Sequence, residues 1–442
     1  MIERLFHLKE SGTNVRVETV AGVTTFMTLS YIIFVQPAVL GAAGMNPGAV
    51  MVATCLSSAF AMVLMAFLAN YPIALAPAMG HNFYFSYIVV LTLGYSWQVA
   101  LGAVFIAGIA FILLSSVGLR ETLMNVLPGC LKNGIPVGIG LLIALVGLEW
   151  SGIVVSHPST YVTLGNLKSS PTLLALFGLA VMAILFALNF RGLILFGIIA
   201  TTIGGLFFGL IEFKGIVSAP PSISPTLFKL QIPNVFTNPN LITVIFIFLF
   251  LDLFDTVGTL IGVGQQSGLM VDGKLPKARQ ALLTDAISTS VGALLGTSTI
   301  TAYIESASGI SAGGRTGLAN IVTALFMLLA LFFTPLIQMV GAGYKLNDDI
   351  TLYPVIAPAL IIVGSMMFKN IVNVDWDDYT ESIPAFLTLI MMPLAFSITE
   401  GISMGVISYT LLKLVTGKGK KVHWLIYLFA VLFMVRYIWL ME

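Results

Sequence analysis

The sequence predicts an all-α polytopic membrane protein of about fourteen spans, built as two inverted repeats of seven, and three observations carry that prediction. Of the 442 residues 58% are hydrophobic and only 9% are charged, where a soluble domain has about 25% charged residues. No globular surface can be dressed from such a set, so lipid must solvate it. Second, apolar stretches of about 20 residues, the length that crosses a bilayer as a helix, follow one another almost without interruption. Third, two segments too broken to be ordinary spans occupy matching places in the two halves of the chain.

In the first half the expected spans are 18–40, 48–69, 71–93, 97–118, 133–155, 171–189 and 192–212. In the second they are 241–265, 278–297, 298–313, 316–341, 350–369, 381–397 and 399–416. A further apolar stretch, 422–441, contains Arg436 and is either a fifteenth span or an interfacial helix. Basic residues in short loops set orientation. Arg4, Lys9 and Arg16 precede span 1, Arg120 and Lys132 follow span 4, Arg191 follows span 6, and Lys274, Lys277 and Arg279 follow span 8. Arg315 follows span 10, and Lys413, Lys418, Lys420 and Lys421 close span 14. All fall on one side if the N-terminus is cytoplasmic, with Lys168, Lys214 and Lys229 as exceptions in longer loops. The polar start, MIERLFHLKESGTNVRVE, lacks the basic-then-apolar pattern of a cleavable signal. A multi-pass protein of the cell (inner) membrane is expected.

The 20 basic and 19 acidic residues nearly cancel, so no field exists to gather nucleic acid. Cys55 and Cys130 form no CxxC pair and read as small core residues. There is no HExxH, GxSxG, Walker or Cys/His pattern. The reading is therefore neither an enzyme nor an ATP-driven pump, with no cofactor and no metal.

The two broken segments are "NYPIALAPAMGHNFYFSY" and "GTSTITAYIESASGISAGG". Pro72 and Pro77 would interrupt a continuous helix in the first. It reads as a short extended stretch and then a helix with Pro77 in its first turn. The second begins with a β-branched run and ends in glycines, again extended and then briefly helical. Asn82 and Glu305 are 223 positions apart, and the same offset carries the start of span 1 close to the start of span 8. Seven spans being odd, the second copy is inverted. Paired broken segments in inverted halves mark a transporter's binding site, because irregular backbone at membrane depth is tolerated only where it is buried in protein or lines a cavity.

"FLFLDLFDTVGTLIG" (248–262) puts Asp252 and Asp255 three residues apart on neighbouring positions of one helix. Each carboxylate at the bilayer centre costs roughly 2.5–3.5 kcal/mol on insertion scales, which packing alone would not select. Two carboxylates in one buried span resist ionising together, which suits proton binding and release. Glu305 stands where the second half-helix begins, able to accept from a ligand's N–H or to cap the helix. Asn82 occupies the matching place in the first repeat, and its amide both donates and accepts. His81 beside it is either a titrating group or a satisfied structural residue. Among the aromatic neighbours Phe83, Tyr84, Phe85, Phe254 and Tyr303, the last, with one phenylalanine, is the expected stacking platform. Glu149 beside Trp150 reads as an interfacial edge, Glu400 as a helix cap, and "DWDDY" (375–379) as a solvated acidic loop. Glycine runs in spans 5 and 8 read as close helix packing rather than nucleotide binding.

"GVTTFMTLSYIIFVQP" in span 1, "LAPAMGHNFYFSY" in span 3, the span 8 stretch above and "TAYIESASGISAGGRTGL" in span 10 resemble the nucleobase–cation symporters, and within them the AzgA-like purine permeases. The resemblance runs over essentially the whole chain. It implies a core domain of spans 1–4 and 8–11 (1–128 and 241–345) and a gate domain of spans 5–7 and 12–14 (129–240 and 346–442). It also implies a purine base (adenine, hypoxanthine or guanine) imported by proton symport between these domains, and a homodimer in the bilayer. Asp252, Glu305, Asn82 and Tyr303 fall on the family's base-binding positions, with His81, Phe83 and Ser30 beside them. Asp252, Asp255 and Glu305 are the expected proton-coupling groups. Three residues depart from the family pattern: Ala78 for glycine, His81 for an apolar residue and Gln36 for the usual asparagine. The departures bear on the substrate more than on the fold. The alternatives are another small solute (uracil, xanthine or an inorganic anion) on the same architecture, or a channel or sensor. Sodium in place of the proton also stays open.

Overall fold

The computed structural model describes residues 2–116, 126–190, 192–236, 239–267, 269–270, 275–341, 343–346 and 351–439. Arg120, Arg191 and Lys274, with the side chains of Phe254 and Lys421, lie outside the described residues. Span 1 is Val15–Leu29 (α1) followed by Ile32–Ala42 (α2), and span 2 is Pro47–Leu68 (α3). Asn14 caps α1 by accepting from the Val17 N–H at 3.1 Å, and Asn46 caps α3 by accepting from Ala49 at 3.0 Å. Pro47 is at the start of α3, where its missing N–H would have no partner. The first broken segment is a strand, Leu75–Pro77 (β1), a helix, Met79–Phe83 (α4), and a wider π-helical stretch, Tyr84–Thr92. Trp97–Ser116 (α5) completes the first four spans.

Gly129–Trp150 (α6) follows. The expected span to residue 155 ends earlier, because Gly152 turns the chain at φ 71° into a hairpin of Val154–His157 (β2) and Tyr161–Leu164 (β3). The β-branched Val154 and Val155 suit that strand better than a helix. Ser170–Ala187 (α7) and Leu193–Phe207 (α8) close the first half.

The second half repeats this order. Pro239–Ser267 (α9) is span 8 and Ala278–Leu295 (α10) span 9. Ile300–Ala302 (β4) and Ser306–Ser311 (α11) form the second broken segment. Gly317–Ala330 (α12) and Thr334–Val340 (α13) make span 11, and Ala357–Met367 (α14), Tyr379–Leu394 (α15) and Ile398–Val415 (α16) are the last three. Among the described residues eight helical stretches are long and apolar enough to cross a membrane, and 193–207, 357–373 and 424–438 are shorter apolar helices.

The apolar end of the chain is a helix, Trp424–Trp439 (α17), packed on α16. Arg436, near its end, donates to Glu400 in the first turn of α16 at 2.5 Å, and Tyr437 donates to the same carboxylate. α17 therefore runs antiparallel to α16. Glu400, expected as a cap, instead anchors α17; the cap is Ser397, which accepts from the Glu400 N–H at 3.4 Å.

Packing separates two bodies. α3 lies against α10 and α12, α5 against α10, and α1 against α12, whereas α6 lies against α14 and α15, and α15 against α16. Within the second body a Cβ on Gly140 would stand 2.8 Å from the Gly364 carbonyl oxygen, so only glycine lets α6 and α14 touch backbone to backbone. Buried Glu18 of α1 accepts from the N–H groups of Arg315 (2.8 Å), Thr316 (3.4 Å) and Ala319 (3.2 Å), satisfying donors at the start of α12. β1 and β4 pair antiparallel, Leu75 opposite Ala302 and Pro77 opposite Ile300, as two inverted copies meeting at their break should.

Candidate functional site

The paired strands solve a backbone problem. Ala78 N–H donates to Thr299 O and Tyr303 N–H to Ala74 O, both at 2.9 Å, so the extended residues satisfy their polar groups inside protein. Tyr303 adds a side-chain tie by donating its hydroxyl to the Pro77 carbonyl. Pro77 itself loses nothing by lacking an N–H at the end of a two-stranded ladder.

Beside this junction lies a narrow cavity of about 40 Å³. Its polar lining is Tyr31 from the break in span 1, Asp255 and Thr259 from α9, and Thr301, Tyr303 and Glu305 from the second broken segment. Ala78, Met79 and Gly80 contribute from the first. The opposite wall is apolar: Ile139 and Ile143 of α6, with Val363 and Met367 of α14. One body thus supplies the polar groups and the other a smooth apolar face.

The polar groups are held in fixed directions. Tyr31 donates to Glu305 Oε1 at 2.8 Å, and Thr28 reaches the Glu305 carbonyl oxygen at 3.4 Å. Thr301 donates to Asp255 Oδ2 at 3.4 Å. Tyr31 and Thr301 thus aim their hydroxyls at Glu305 and Asp255, and each carboxylate keeps further lone pairs able to accept from an N–H donor in the cavity.

Of the residues expected from sequence, Asp255, Tyr303 and Glu305 line the cavity; Asp252, Asn82, His81, Phe83 and Ser30 are not among its lining residues. Asp252 is fully buried behind it, accepting from Thr256 at 3.4 Å, and the same hydroxyl donates to Asp285 of α10 at 2.9 Å. Asn82 bridges its neighbours: it donates to Gln36 Oε1 and accepts from Ser298, while Gln36 donates to Thr297 at 2.9 Å. Ser30 bonds back to the Met27 carbonyl at 3.3 Å. Phe83 packs edge-on against Trp150 and Phe396, with ring centroids 6.2 and 6.4 Å apart. Trp150 in turn lies 4.6 Å from the Tyr353 ring, so side chains from both bodies join in one aromatic cluster.

Sequence reasoning missed Tyr31, one position beyond Ser30, and Asp285. Asp285 lies in "LLTDAISTS" of span 9, where a carboxylate within a spanning helix carries the same cost that marks Asp252 and Asp255.

The profile of the Permease family (Xan_ur_permease) matches residues 16–404. The chain belongs to this family. It is 44% identical over 441 residues to the adenine permease AdeP of Escherichia coli, covering 100% of this chain and 96% of that one. It is also 44% identical over 451 residues to the guanine/hypoxanthine permease PbuG of Bacillus subtilis, covering 99% and 100%. The fold of this permease is similar to the transmembrane domain of the cyanobacterial bicarbonate transporter BicA, with a TM-score of 0.60 at 16% identity, covering 89% of this chain and 97% of that one. The family expected from the motifs of spans 1, 3, 8 and 10 is thus the family found, and the permease keeps its polar cavity residues on those motifs.

Proposed function

We propose that this permease is a secondary active transporter that imports a purine nucleobase together with a proton. The observation that supports it best is the cavity itself, where Asp255 and Glu305 face one space between the broken segments and an apolar wall. A purine presents N–H donors along its edge and flat apolar faces. Two carboxylates accept from the edge, while Ile139, Ile143, Val363 and Met367 lie against a face, with Tyr303 at the side. Relatives named for adenine and for guanine/hypoxanthine transport agree with this chemistry.

In this reading Asp255, Glu305 and Tyr303 meet the base. Asn82, Asp252, Phe83 and Ser30 hold the surrounding backbone and side chains in place. A proton taken up at Asp255, Asp252 or Glu305 removes a charge that is expensive to carry past an apolar wall, so the loaded core moves more easily than the empty one. Alternating access is a rocking of the core (1–128, 241–345) against the gate (129–240, 346–442) about the cavity. The protein acts in the cell membrane, N-terminus in the cytoplasm, as a homodimer. An anion as cargo is disfavoured by the acids lining the space.

The test is uptake of labelled adenine, hypoxanthine, guanine, xanthine and uracil into proteoliposomes, with and without an inward proton gradient, by wild type and Glu305→Gln. Gradient-driven accumulation of one purine, lost in the variant, is expected. Absence of flux for every base would sink the reading and send attention to inorganic anions.

A further inference from the structure

His81 is 1% exposed, and among the described residues neither of its ring nitrogens has a hydrogen-bond partner. A buried polar ring left this way is costly and calls for an explanation in another state of the protein. Its Nδ1 lies 3.8 Å from Asp255 Oδ2, about 1 Å beyond a hydrogen bond. Asp255 is the carboxylate that α9 turns into the cavity. The gap sits at the seam between the two bodies, since a Cβ on the adjacent Gly80 would run into Ile398 of α16.

Other titratable groups do not compete for this position. Among the described residues the elements packed most closely on α4 are the following π-helical stretch, α2, α9 and α6, with α16 touching it at Gly80. They offer Tyr84 and Tyr87, no titratable group from α2, Asp252 and Asp255 from α9, and Cys130, Lys132 and Glu149 towards the ends of α6. Across the seam Glu400 of α16 is already paired with Arg436. Asp255 is the one within ion-pair reach of His81 among the described residues.

We infer that His81 shares the coupled proton with Asp255. This rests on the symport reading above and extends it. If Asp255 held the proton alone, the proton and the N–H of a base would compete for the same carboxylate. With His81 close by, the O–H bond of protonated Asp255 breaks as an Nδ1–H bond forms, leaving a carboxylate beside an imidazolium. The pair stays neutral, no other reactant is consumed, and an ionised oxygen becomes free to accept from the base. Proton and base then bind together instead of displacing each other, which is what symport requires.

The experiment compares wild type, His81→Leu and His81→Gln, all full-length and reconstituted, in two assays. Counterflow of labelled adenine, hypoxanthine or guanine against the same unlabelled base, without a gradient, reads binding and movement. Accumulation under an inward gradient of one pH unit reads coupling, and each coupled proton supports about tenfold accumulation. Wild type is expected to do both. The variants are expected to keep counterflow within about threefold while accumulation falls from about tenfold to none. Gln, which fills the space and hydrogen-bonds without holding a proton, decides if Leu does not fold. Undiminished accumulation in a folded variant overturns the proposal. So does a parallel loss of both activities in Gln, which would make the ring structural. Wild type showing counterflow without accumulation sinks symport itself, a failure separable from that of His81.

Discussion

The two broken segments draw the same backbone figure, a short strand and then a helical turn, yet they carry unequal chemistry. In the second segment Thr301, Tyr303 and Glu305 all line the cavity. In the first, the residues at the cavity are Ala78, Met79 and Gly80, and the polar Asn82 turns away to clasp Gln36 and Ser298. Duplication therefore preserved the cradle while the side chains took different duties. One copy lines the cavity with polar groups, and the other braces them through span 1.

The sharpest test of that division is Glu305→Gln. It replaces the charged acceptor of the second segment, and hydrogen bonds to charged groups are worth about 1.5–3 kcal/mol, so base uptake at low concentration should fall roughly 10- to 100-fold. Asp255→Asn should come next, with the loss appearing in base affinity measured by competition. Asp252→Asn, one turn back, should move affinity less; an equal effect would show that the cavity is not where the base sits. In the first segment Asn82→Ala should act differently. It strands buried Gln36 and Ser298, so a lowered melting temperature, on the order of 1–3 kcal/mol of stability, is expected, with the rank order of competing bases unchanged. A changed rank order would break the division of labour. Tyr31→Phe removes a single hydroxyl donor from Glu305 and should reduce affinity by about 3- to 10-fold.

The mildest case lies outside both segments and serves as a control. Asp378 caps α15 by accepting from Thr380 N–H at 2.8 Å and pairs with Lys418 at 2.9 Å. The Lys418 ammonium, then the Thr380 donors, hold its carboxyl well below the usual carboxylate range. A depressed carboxylate contributes stability above its unfolded pKa of about 4, and that contribution fades as pH falls towards the folded value. The melting-temperature difference between wild type and Lys418→Ala should therefore shrink below about pH 4, with transport unaffected.

Much of this arrangement is legible in the sequence because it violates ordinary span chemistry. Pro72, Pro77 and the β-branched run before Glu305 cannot make regular helices, so both breaks stand out, as do acids within apolar stretches. The rotation of a helix is harder to read. Asp252 and Asp255 share one side of α9, and only packing against α10 and the second segment decides that Asp255 faces the cavity while Asp252 is buried beside Thr256 and Asp285. The apolar wall was equally silent, since Ile139 and Val363 look like every other span residue. Gln36 and Asn82 pose a third difficulty: their amides suit a ligand as well as each other, and local sequence does not say which is chosen.

The strand pairing at the centre also sets an order of events during synthesis. Leu75–Pro77 finds its antiparallel partner in Ile300–Ala302, more than two hundred residues further along the chain. A ribosome delivers the first strand long before the second, and in the interval its main-chain groups have no ladder to join at a depth where water is scarce. Contacts of such sequence separation form late. The first half must therefore wait, sheltered by its own neighbouring helices or by the insertion machinery, until most of the polypeptide has emerged.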